Sequence, residues 1–186
     1  MYGHTDLKKG VVIELENAPY QVVESSHMAM GRGGAVMRTK LKNLLNGSVL
    51  ERTFRPADKI KRADISKVNM QFLYRDGDSF HFMDQVTYEQ IALSKTIVSE
   101  AADYLAEDSK AIINYFNAKP IGIELPNAVY LKVTKADPGA KGDTANQALK
   151  PSRVETGLSV MVPLFINEGD VVKVDTRSGA YLERQK

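Results

Sequence analysis

The chain has 186 residues, no cysteine, and 25 basic against 23 acidic side chains, for a formal net charge of +2. The length allows one ordinary domain or two to three small ones, and the ordinary share of apolar residues favours a folded chain over intrinsic disorder. The lack of cysteine excludes a disulfide framework, an iron–sulfur cluster, a thiolate zinc site and a cysteine nucleophile.

The N-terminal residues contain no apolar segment of the signal-peptide type, and no apolar run is long enough to span a bilayer. We therefore expect a cytoplasmic protein without a membrane partner. The missing cysteines fit a reducing compartment.

The first module is predicted over residues 1–64 as a small β-barrel. Strands are expected at 11–15 and 20–23, with a turn between them. Residues 35–42 alternate apolar and basic positions, which predicts a strand with one buried face and one basic face. Asn46-Gly47 predicts a two-residue hairpin turn because both residues tolerate positive φ, and the returning strand is expected over 49–54.

The second module is predicted over residues 65–128. Strands at 70–74 and 79–83 flank a turn signal at 76–78, and a helix is expected over 96–105 because apolar side chains recur at i, i+4 spacing. Two more strands follow, and Pro120 between them is expected at a strand start or sheet edge because it cannot donate to a ladder.

The third module is predicted over residues 129–186. We expect strands at 129–134, 160–166, 171–174 and 180–182, and a long polar loop over 137–146. Short strands at this spacing indicate a mainly all-β chain of small barrels of the SH3-like and OB types. The second and third modules are candidates for related barrels.

The small net charge conceals an uneven distribution. Residues 1–64 carry 11 basic and 7 acidic side chains, residues 65–128 carry 5 and 9, and residues 129–186 carry 9 and 7. Within the first module, residues 28–62 hold 9 basic against 2 acidic side chains. Such a basic β-surface indicates either a contact with a nucleic-acid backbone or an ordinary solvated face.

The most unusual local feature is Gly31-Arg32-Gly33-Gly34, which lies between two β-runs at the predicted tip of a long hairpin. Glycines allow the backbone to approach a partner closely, so Arg32 is a candidate probe for a charged crevice. The alternative is a mobile hairpin turn with an unrelated cation. The segment Gly142-Asp143-Thr144 also has two interpretations. Its side chains could contact base edges or ribose hydroxyls, or they could form an Asx-type turn.

No signature of an enzyme is present. His4, His27 and His81 are widely spaced in no metal-binding pattern, and nucleophile-elbow, HExxH and Rossmann motifs are missing. Arg32 cannot act as a general base because a guanidinium stays protonated. We expect a protein that is not an enzyme, with no catalytic residue, no metal and no cofactor.

Several longer stretches have the residues of a known family. They are residues 31–44 (GRGGAVMRTKLKNL), 72–78 (FLYRDGD), 162–170 (VPLFINEGD) and 174–181 (VDTRSGAY). With them the chain resembles bacterial elongation factor P from end to end. The resemblance implies an SH3-like module of the KOW type followed by two OB-fold barrels, arranged in an L shape that mimics a transfer RNA.

The resemblance also implies a function and its partners. Members of the family bind the ribosome between the peptidyl and exit sites and relieve stalling at consecutive prolines. They contact ribosomal RNA and peptidyl-tRNA of the proline type, and we expect the chain to act as a monomer.

Individual site residues follow from the same resemblance. Arg32 lies where the family has its functional tip residue, with Gly31, Gly33 and Gly34 forming the tip loop. The segment 142–144 (Gly142, Asp143 and Thr144) lies where the family has a loop that reads the exit-site codon. From their charge, we expect contacts with RNA backbone from Arg38, Lys40 and Lys42.

The chain departs from the family at two places. Many members have Lys at the tip, preceded by Pro-Gly, and extend it with a β-lysyl group, whereas Met30 and Gly31 precede Arg32 here. Some Arg-tipped members are rhamnosylated on that arginine, so an arginine-modifying glycosyltransferase is a candidate partner. The sequence leaves open whether Arg32 is modified. The codon loop continues as 145–149 (ANQAL) instead of the usual Thr/Gly-rich run.

Two other functions remain as alternatives. One is a divergent paralogue of the family with a different stalling preference, and the other is a general RNA-binding protein that uses its OB barrels. The second is less well supported by the composition, because aromatic residues make up 8% of the chain and tryptophan is missing.

Overall fold

The computed structural model describes residues 1–30, 34–136 and 149–185, which are built almost entirely of β-strands. The strands form three five-stranded sheets that follow one another along the chain. By its internal packing the chain divides into two compact units, residues 1–67 with 114–122 and residues 68–113 with 123–186. The mainly all-β class is confirmed, whereas the module boundaries at 64/65 and 128/129 stay a prediction.

The first sheet follows a short 3₁₀ turn at His4–Asp6. Its strands, in the order β4-β3-β2-β1-β5, are β1 (Val12–Leu15), β2 (Ala18–Met30), β3 (Gly34–Asn43), β4 (Val49–Phe54) and β5 (Lys61–Arg62). The side chains that point inward form one core cluster, consisting of Leu7, Ile13, Val22, Met37, Leu41, Phe54 and Ile60.

Strand β2 is much longer than the predicted segment 20–23. It begins directly after Glu16 and Asn17, which both have positive φ and so make a two-residue turn. It then continues to Met30 because its outer half pairs with β3 instead of β1. The predicted turn over 16–19 is therefore too wide, and Pro19 lies inside the strand.

The hairpin between β3 and β4 is confirmed, but the two-residue turn at Asn46-Gly47 is wrong. Gly47 has a φ of 76°, and Asn46 is not among the residues with positive φ. The side-chain Oδ1 of Asn43 accepts hydrogen bonds from the backbone N–H groups of Leu45 and Asn46, at 2.8 and 3.3 Å. This Asx-type turn widens the loop, so that Lys42 pairs with Val49.

The second sheet has the order β10-β9-β6-β7-β8. Its strands are β6 (Ile65–Asp76), β7 (Ser79–Asp84), β8 (Gln90–Ser94), β9 (Lys110–Phe116) and β10 (Lys119–Glu124). The predicted turn between β6 and β7 is confirmed, with Gly77 at a φ of 57°. Pro120 lies in β10, an edge strand of this sheet, as expected.

The predicted helix over 96–105 is only partly correct. A single α-helical turn, α1 (Lys95–Val98), is followed by a 3₁₀ segment at Ser99–Tyr104. Ser99 has a φ of 50°, which ends the α-helix. The apolar spacing nevertheless identified buried side chains, since Val98 and Leu105 are both in the core.

The third sheet has the order β13-β12-β11-β14-β15. Its strands are β11 (Ala128–Ala136), β12 (Leu149–Val154), β13 (Ser159–Pro163), β14 (Val171–Asp175) and β15 (Tyr181–Arg184). In this sheet and in the second, the first strand lies in the middle, flanked by the second strand on one side and the fourth on the other. This shared topology supports the expectation of related barrels.

Strand β12 was not predicted. Its sequence contains Lys150, Pro151, Ser152 and Arg153, residue types that are depleted in strands or common in loops. Burial nevertheless alternates along it, with Lys150, Ser152 and Val154 buried. The strand forms because its backbone pairs with β11 on one side and β13 on the other.

Candidate nucleic-acid interface

The β2–β3 hairpin is the longest paired element of the first sheet. Its ladder runs from Tyr20 opposite Asn43 to Met30 opposite Gly34, with one irregularity between Val22 and Glu24. Strand β4 pairs with β3 only as far as Met37. Three residue pairs therefore continue past the end of β4 as a two-stranded ribbon, over about 10 Å at ~3.3 Å per residue.

Several predicted site residues lie outside the part of the chain that the structure describes. They are Gly31, Arg32 and Gly33 of the predicted tip, and Gly142, Asp143 and Thr144 of the predicted codon loop. Of the predicted tip loop, Gly34 begins strand β3 and pairs with Met30. The roles of all these residues stay predictions.

The predicted two faces of β3 are confirmed. Met37, Thr39 and Leu41 are buried, and the three basic residues between and after them are exposed. Thr39 is only 1% exposed, and its hydroxyl donates a hydrogen bond to the Arg52 carbonyl at 2.9 Å. This bond satisfies a buried polar group and ties β3 to β4.

Acidic side chains on the neighbouring strands neutralise two of the three exposed cations. Arg38 Nη2 lies 2.6 Å from Glu51 Oε2 on β4, and Lys40 Nζ lies 3.7 Å from Glu24 Oε2 on β2. Lys42, which lies opposite Val49, has no ion-pair partner among the residues that the structure describes. The available positive charge on this face is therefore smaller than the sequence count suggests.

Glu51 is the carboxylate most affected by this arrangement. The hydrogen bond from Arg38 and the attraction of its charge lower the pKa of Glu51, and Lys40 adds a smaller attraction. These groups surround a surface cavity of about 270 Å³ that is lined by Glu24, Ser26, Arg38, Thr39, Lys40 and Glu51. Because this cavity carries both signs of charge, it attracts a phosphate backbone less strongly than a purely basic cavity would.

Sequence reasoning missed the role of Glu24 and Glu51 because it depends on strand register. A two-residue turn at 46–47 would place Glu51 opposite Lys42. The wider loop shifts the pairing by two residues and places Glu51 opposite Lys40, next to Arg38. Both acidic residues were visible in the sequence, but this turn sets the partner of Glu51, and the β2–β3 register sets the partner of Glu24.

The second sheet presents one stacked pair of aromatic rings. The rings of Tyr74 and His81 lie 4.4 Å apart at an angle of 17°, and Tyr74 is 48% exposed. Stacked rings of this kind can hold a nucleic-acid base. Residues 65–128 carry 9 acidic and 5 basic side chains, however, so their net charge repels a phosphate backbone.

The described residues contain neither a metal cluster nor a membrane-spanning helix. In residues 1–30, 34–136 and 149–185, no group of three or more His, Asp or Glu side chains could hold a metal ion. No helix in the same residues is long and apolar enough to cross a membrane.

A basic hairpin on a small first sheet, followed by two sheets of one topology, defines a protein of the class that joins a KOW-like module to OB-type modules. Comparison with known families gives the same domains. Residues 4–60 match the KOW-like domain of elongation factor P, residues 65–123 match its OB domain, and residues 129–184 match its C-terminal domain.

Individual relatives agree over the full length. The chain is 44% identical over 185 residues to elongation factor P of Nitratidesulfovibrio vulgaris (strain DP4), with all of both chains covered. It is 49% identical over 179 residues to elongation factor P of Clostridium tetani, which covers 96% of this chain and 97% of the relative. The chain belongs to the elongation factor P family and is a translation elongation factor.

A solved structure supports the fold of part of the chain. Eukaryotic translation initiation factor 5A from Methanococcus jannaschii matches with a TM-score of 0.55 and 21% identity, over 67% of this chain and 93% of that one. At this identity the likeness concerns the fold alone.

Proposed function

We propose that this elongation factor binds the ribosome between the peptidyl and exit sites and stimulates peptide bond formation at consecutive prolines. Its partners there are ribosomal RNA and peptidyl-tRNA of the proline type. It uses no cofactor and no catalytic group of its own. Membership of the elongation factor P family supports this function.

The physical problem at a proline run is one of position. The proline ring fixes φ and removes the backbone N–H, so the reacting nitrogen and the nascent chain are poorly oriented. A factor that only holds the reacting groups in register can lower the barrier substantially. It needs neither an acid nor a base, because the ribosome supplies the reaction centre.

The observation that carries the proposal is the two-stranded ribbon of the β2–β3 hairpin. It extends past the end of β4 to the pair Met30 and Gly34, and only Gly31, Arg32 and Gly33 join these two residues. We propose that Arg32 contacts the acceptor end of peptidyl-tRNA. A guanidinium suits this role because it carries a permanent charge and donates to phosphate and ribose oxygens in a fixed fork.

The tip role is tested by Arg32→Ala, compared with the wild-type chain in reconstituted translation of a reporter with a proline run. We expect Arg32→Ala to abolish rescue of the stall while binding to the ribosome largely persists. Arg62→Ala is the matched control, because Arg62 is an exposed arginine on β5, at the edge of the same sheet opposite to β4. Full rescue by Arg32→Ala would contradict the tip role.

The guanidinium also limits the modification that the tip can carry. A ligase that acylates a neutral lysine amine cannot act in the same way on an arginine. The two remaining states are unmodified Arg32 and Arg32 rhamnosylated by an arginine-modifying glycosyltransferase. Intact mass and peptide mapping of the natively expressed protein distinguish them, since a single deoxyhexose on the peptide containing Arg32 identifies the second state.

A further inference from the structure

We propose that Lys135 on β11 and Arg153 on β12 form a binding site for an RNA phosphate group. The inference rests on the proposed function, which brings the chain to the ribosome and hence to RNA. It adds a contact in the third module that is separate from the β2–β3 hairpin.

The two cations lie directly opposite each other on neighbouring strands. Lys135 pairs with Arg153 in the β11–β12 ladder, after an irregularity between Val133 and Lys135. Both side chains are exposed. Like charges directly opposite each other are unfavourable in a sheet, and a bound anion removes this repulsion.

No carboxylate neutralises either cation among residues 1–30, 34–136 and 149–185. The nearby Glu168 instead accepts a hydrogen bond from the backbone N–H of Ala136 at 3.2 Å. Three other cations of the same module do have acidic partners, namely Lys173 with Glu183, Arg177 with Asp175 and Arg184 with Asp170. Within the described residues, Lys135 and Arg153 therefore differ from these three paired cations of the module.

The pair lies on a concave surface. A cavity of about 230 Å³ is lined by Lys135, Pro151, Ser152, Arg153 and Ser159, and none of these described lining residues is acidic. Ser159 is exposed and lies directly opposite Arg153 on β13. The exposed part of the lining therefore combines two cations, Lys135 and Arg153, with the hydroxyl of Ser159.

These groups match phosphate better than they match other anions. A guanidinium can donate two parallel hydrogen bonds to phosphate oxygens, and an ammonium adds a point charge. Arginine, lysine and serine side chains are the usual partners of the nucleic-acid backbone. An acidic protein is the competing partner, and the experiment below includes it.

The first measurement is the salt dependence of ribosome binding by the full chain. In Lys135→Gln/Arg153→Gln, two phosphate contacts are lost, so the slope of log K against log salt should fall by about 1.4, and affinity at physiological salt by about tenfold. The control Lys173→Gln/Arg184→Gln removes the same charge from the same module, but from cations that already have acidic partners. We expect the control to keep a slope close to that of the wild type.

The second measurement identifies the ligand. The isotope-labelled full chain is titrated with a 12-nucleotide single-stranded RNA and, separately, with poly-glutamate, and the amide signals of residues 135 and 153 are followed by NMR. RNA should shift these signals at lower concentration than poly-glutamate does, and the shifts should be lost in Lys135→Gln/Arg153→Gln. An unchanged melting temperature confirms that the variant is folded.

Two results would overturn the site. One is an unchanged salt slope in Lys135→Gln/Arg153→Gln, and the other is an equal or stronger response to poly-glutamate. Failure of the proposed function looks different, because the wild-type chain would then fail to relieve proline stalls while the RNA-dependent shifts at 135 and 153 persist. That result supports the phosphate-binding site and contradicts only its proposed use on the ribosome.

Discussion

The β2–β3 hairpin and the β11–β12 pair both present cations on an exposed sheet face, but they differ in what lies beside those cations. In the hairpin, Arg38 and Lys40 have carboxylates from β4 and β2 within 4 Å. In the β11–β12 pair, Lys135 and Arg153 lie opposite each other, and the other described residues of the cavity that they line are uncharged. Among the described residues, two of the three exposed cations of β3 have acidic partners, whereas neither cation of the β11–β12 pair has one.

This difference shows that the number of basic residues in a stretch does not give the charge available to a partner. Residues 28–62 hold 9 basic and 2 acidic side chains, yet one of those two acids, Glu51, pairs with a predicted RNA contact. The second partner, Glu24, lies outside that stretch and reaches Lys40 across the ladder. Cross-strand register therefore decides which cations remain free.

The largest effect is expected from removing the buried side chain beneath the hairpin cations. Leu41 is fully buried in the first core cluster, so Leu41→Ala should lower the free energy of unfolding by about 2–5 kcal/mol. Urea unfolding measures the loss, and Leu41→Met, which keeps most of the volume, should cost less than about 1.5 kcal/mol. Equal stability of the two variants would contradict the placement of Leu41 in the packed core beneath these cations.

The next largest effect is expected from placing a carboxylate beside the cations of the β11–β12 pair, as in the hairpin. Ser159 lies directly opposite Arg153, so Ser159→Glu places a carboxylate beside the guanidinium. We expect affinity for the 12-nucleotide RNA to fall by roughly five- to tenfold, because the cation is neutralised and a negative charge is added. Ser159→Gln, which has the same shape without the charge, should retain near wild-type affinity, and an equal loss in both variants would point to steric blocking.

The reverse change in the hairpin should have a smaller effect. Glu51→Gln frees Arg38, so RNA affinity should rise by roughly two- to threefold and the salt slope should increase by about 0.7. Glu89→Gln removes the same charge from an exposed position just before β8 and should leave the slope unchanged. If Glu51→Gln binds RNA no better than the wild type, then Arg38 is not a backbone contact.

The smallest effect concerns an ion pair of the third module and its dependence on pH. Hydrogen bonds from the Arg177 side chain and from the backbone N–H groups of Arg177 and Ser178 lower the pKa of Asp175 from 3.8 to about 2. Because the folded-state pKa is depressed, this carboxylate stabilises the fold above pH ~4, and its contribution is lost as the pH falls toward 2.

Melting temperatures from pH 7 to pH 2 test this expectation. Asp175→Asn should melt below the wild type at neutral pH, and the difference should shrink between pH 4 and pH 2. A difference that stays constant over this range would mean that the charge of Asp175 contributes nothing to stability.

Local patterns in the sequence predicted much of the fold. Alternation of apolar and basic residues identified the faces of β3, and turn residues such as Gly77 located hairpins. Strand β12 escaped because its side chains resemble those of a loop, and its pairing with β11 and β13 is a long-range effect. The helix over 96–105 was overestimated because i, i+4 spacing cannot distinguish an α-helix from an α-turn followed by a 3₁₀ segment.

Only those features of the candidate site that depend on single residues could be predicted from the sequence. The exposed basic face of β3 was predicted from the alternation of neighbouring residues, whereas the role of Arg32 stays a prediction. Glu24 and Glu51 were missed as ion-pair partners, and Lys135 and Arg153 were missed as a pair, because each depends on the register of two strands. Residues far apart in sequence become neighbours only when that register is known.

The central claim is tested most directly by the rate of a single peptide bond on purified ribosomes. With prolyl-tRNA as both donor and acceptor, the wild-type chain should accelerate bond formation by at least about tenfold, through better orientation of the reacting groups. With phenylalanyl-tRNA as acceptor and a donor other than proline, it should change the rate little. Equal acceleration of both reactions, or no acceleration of the proline reaction, would contradict the account.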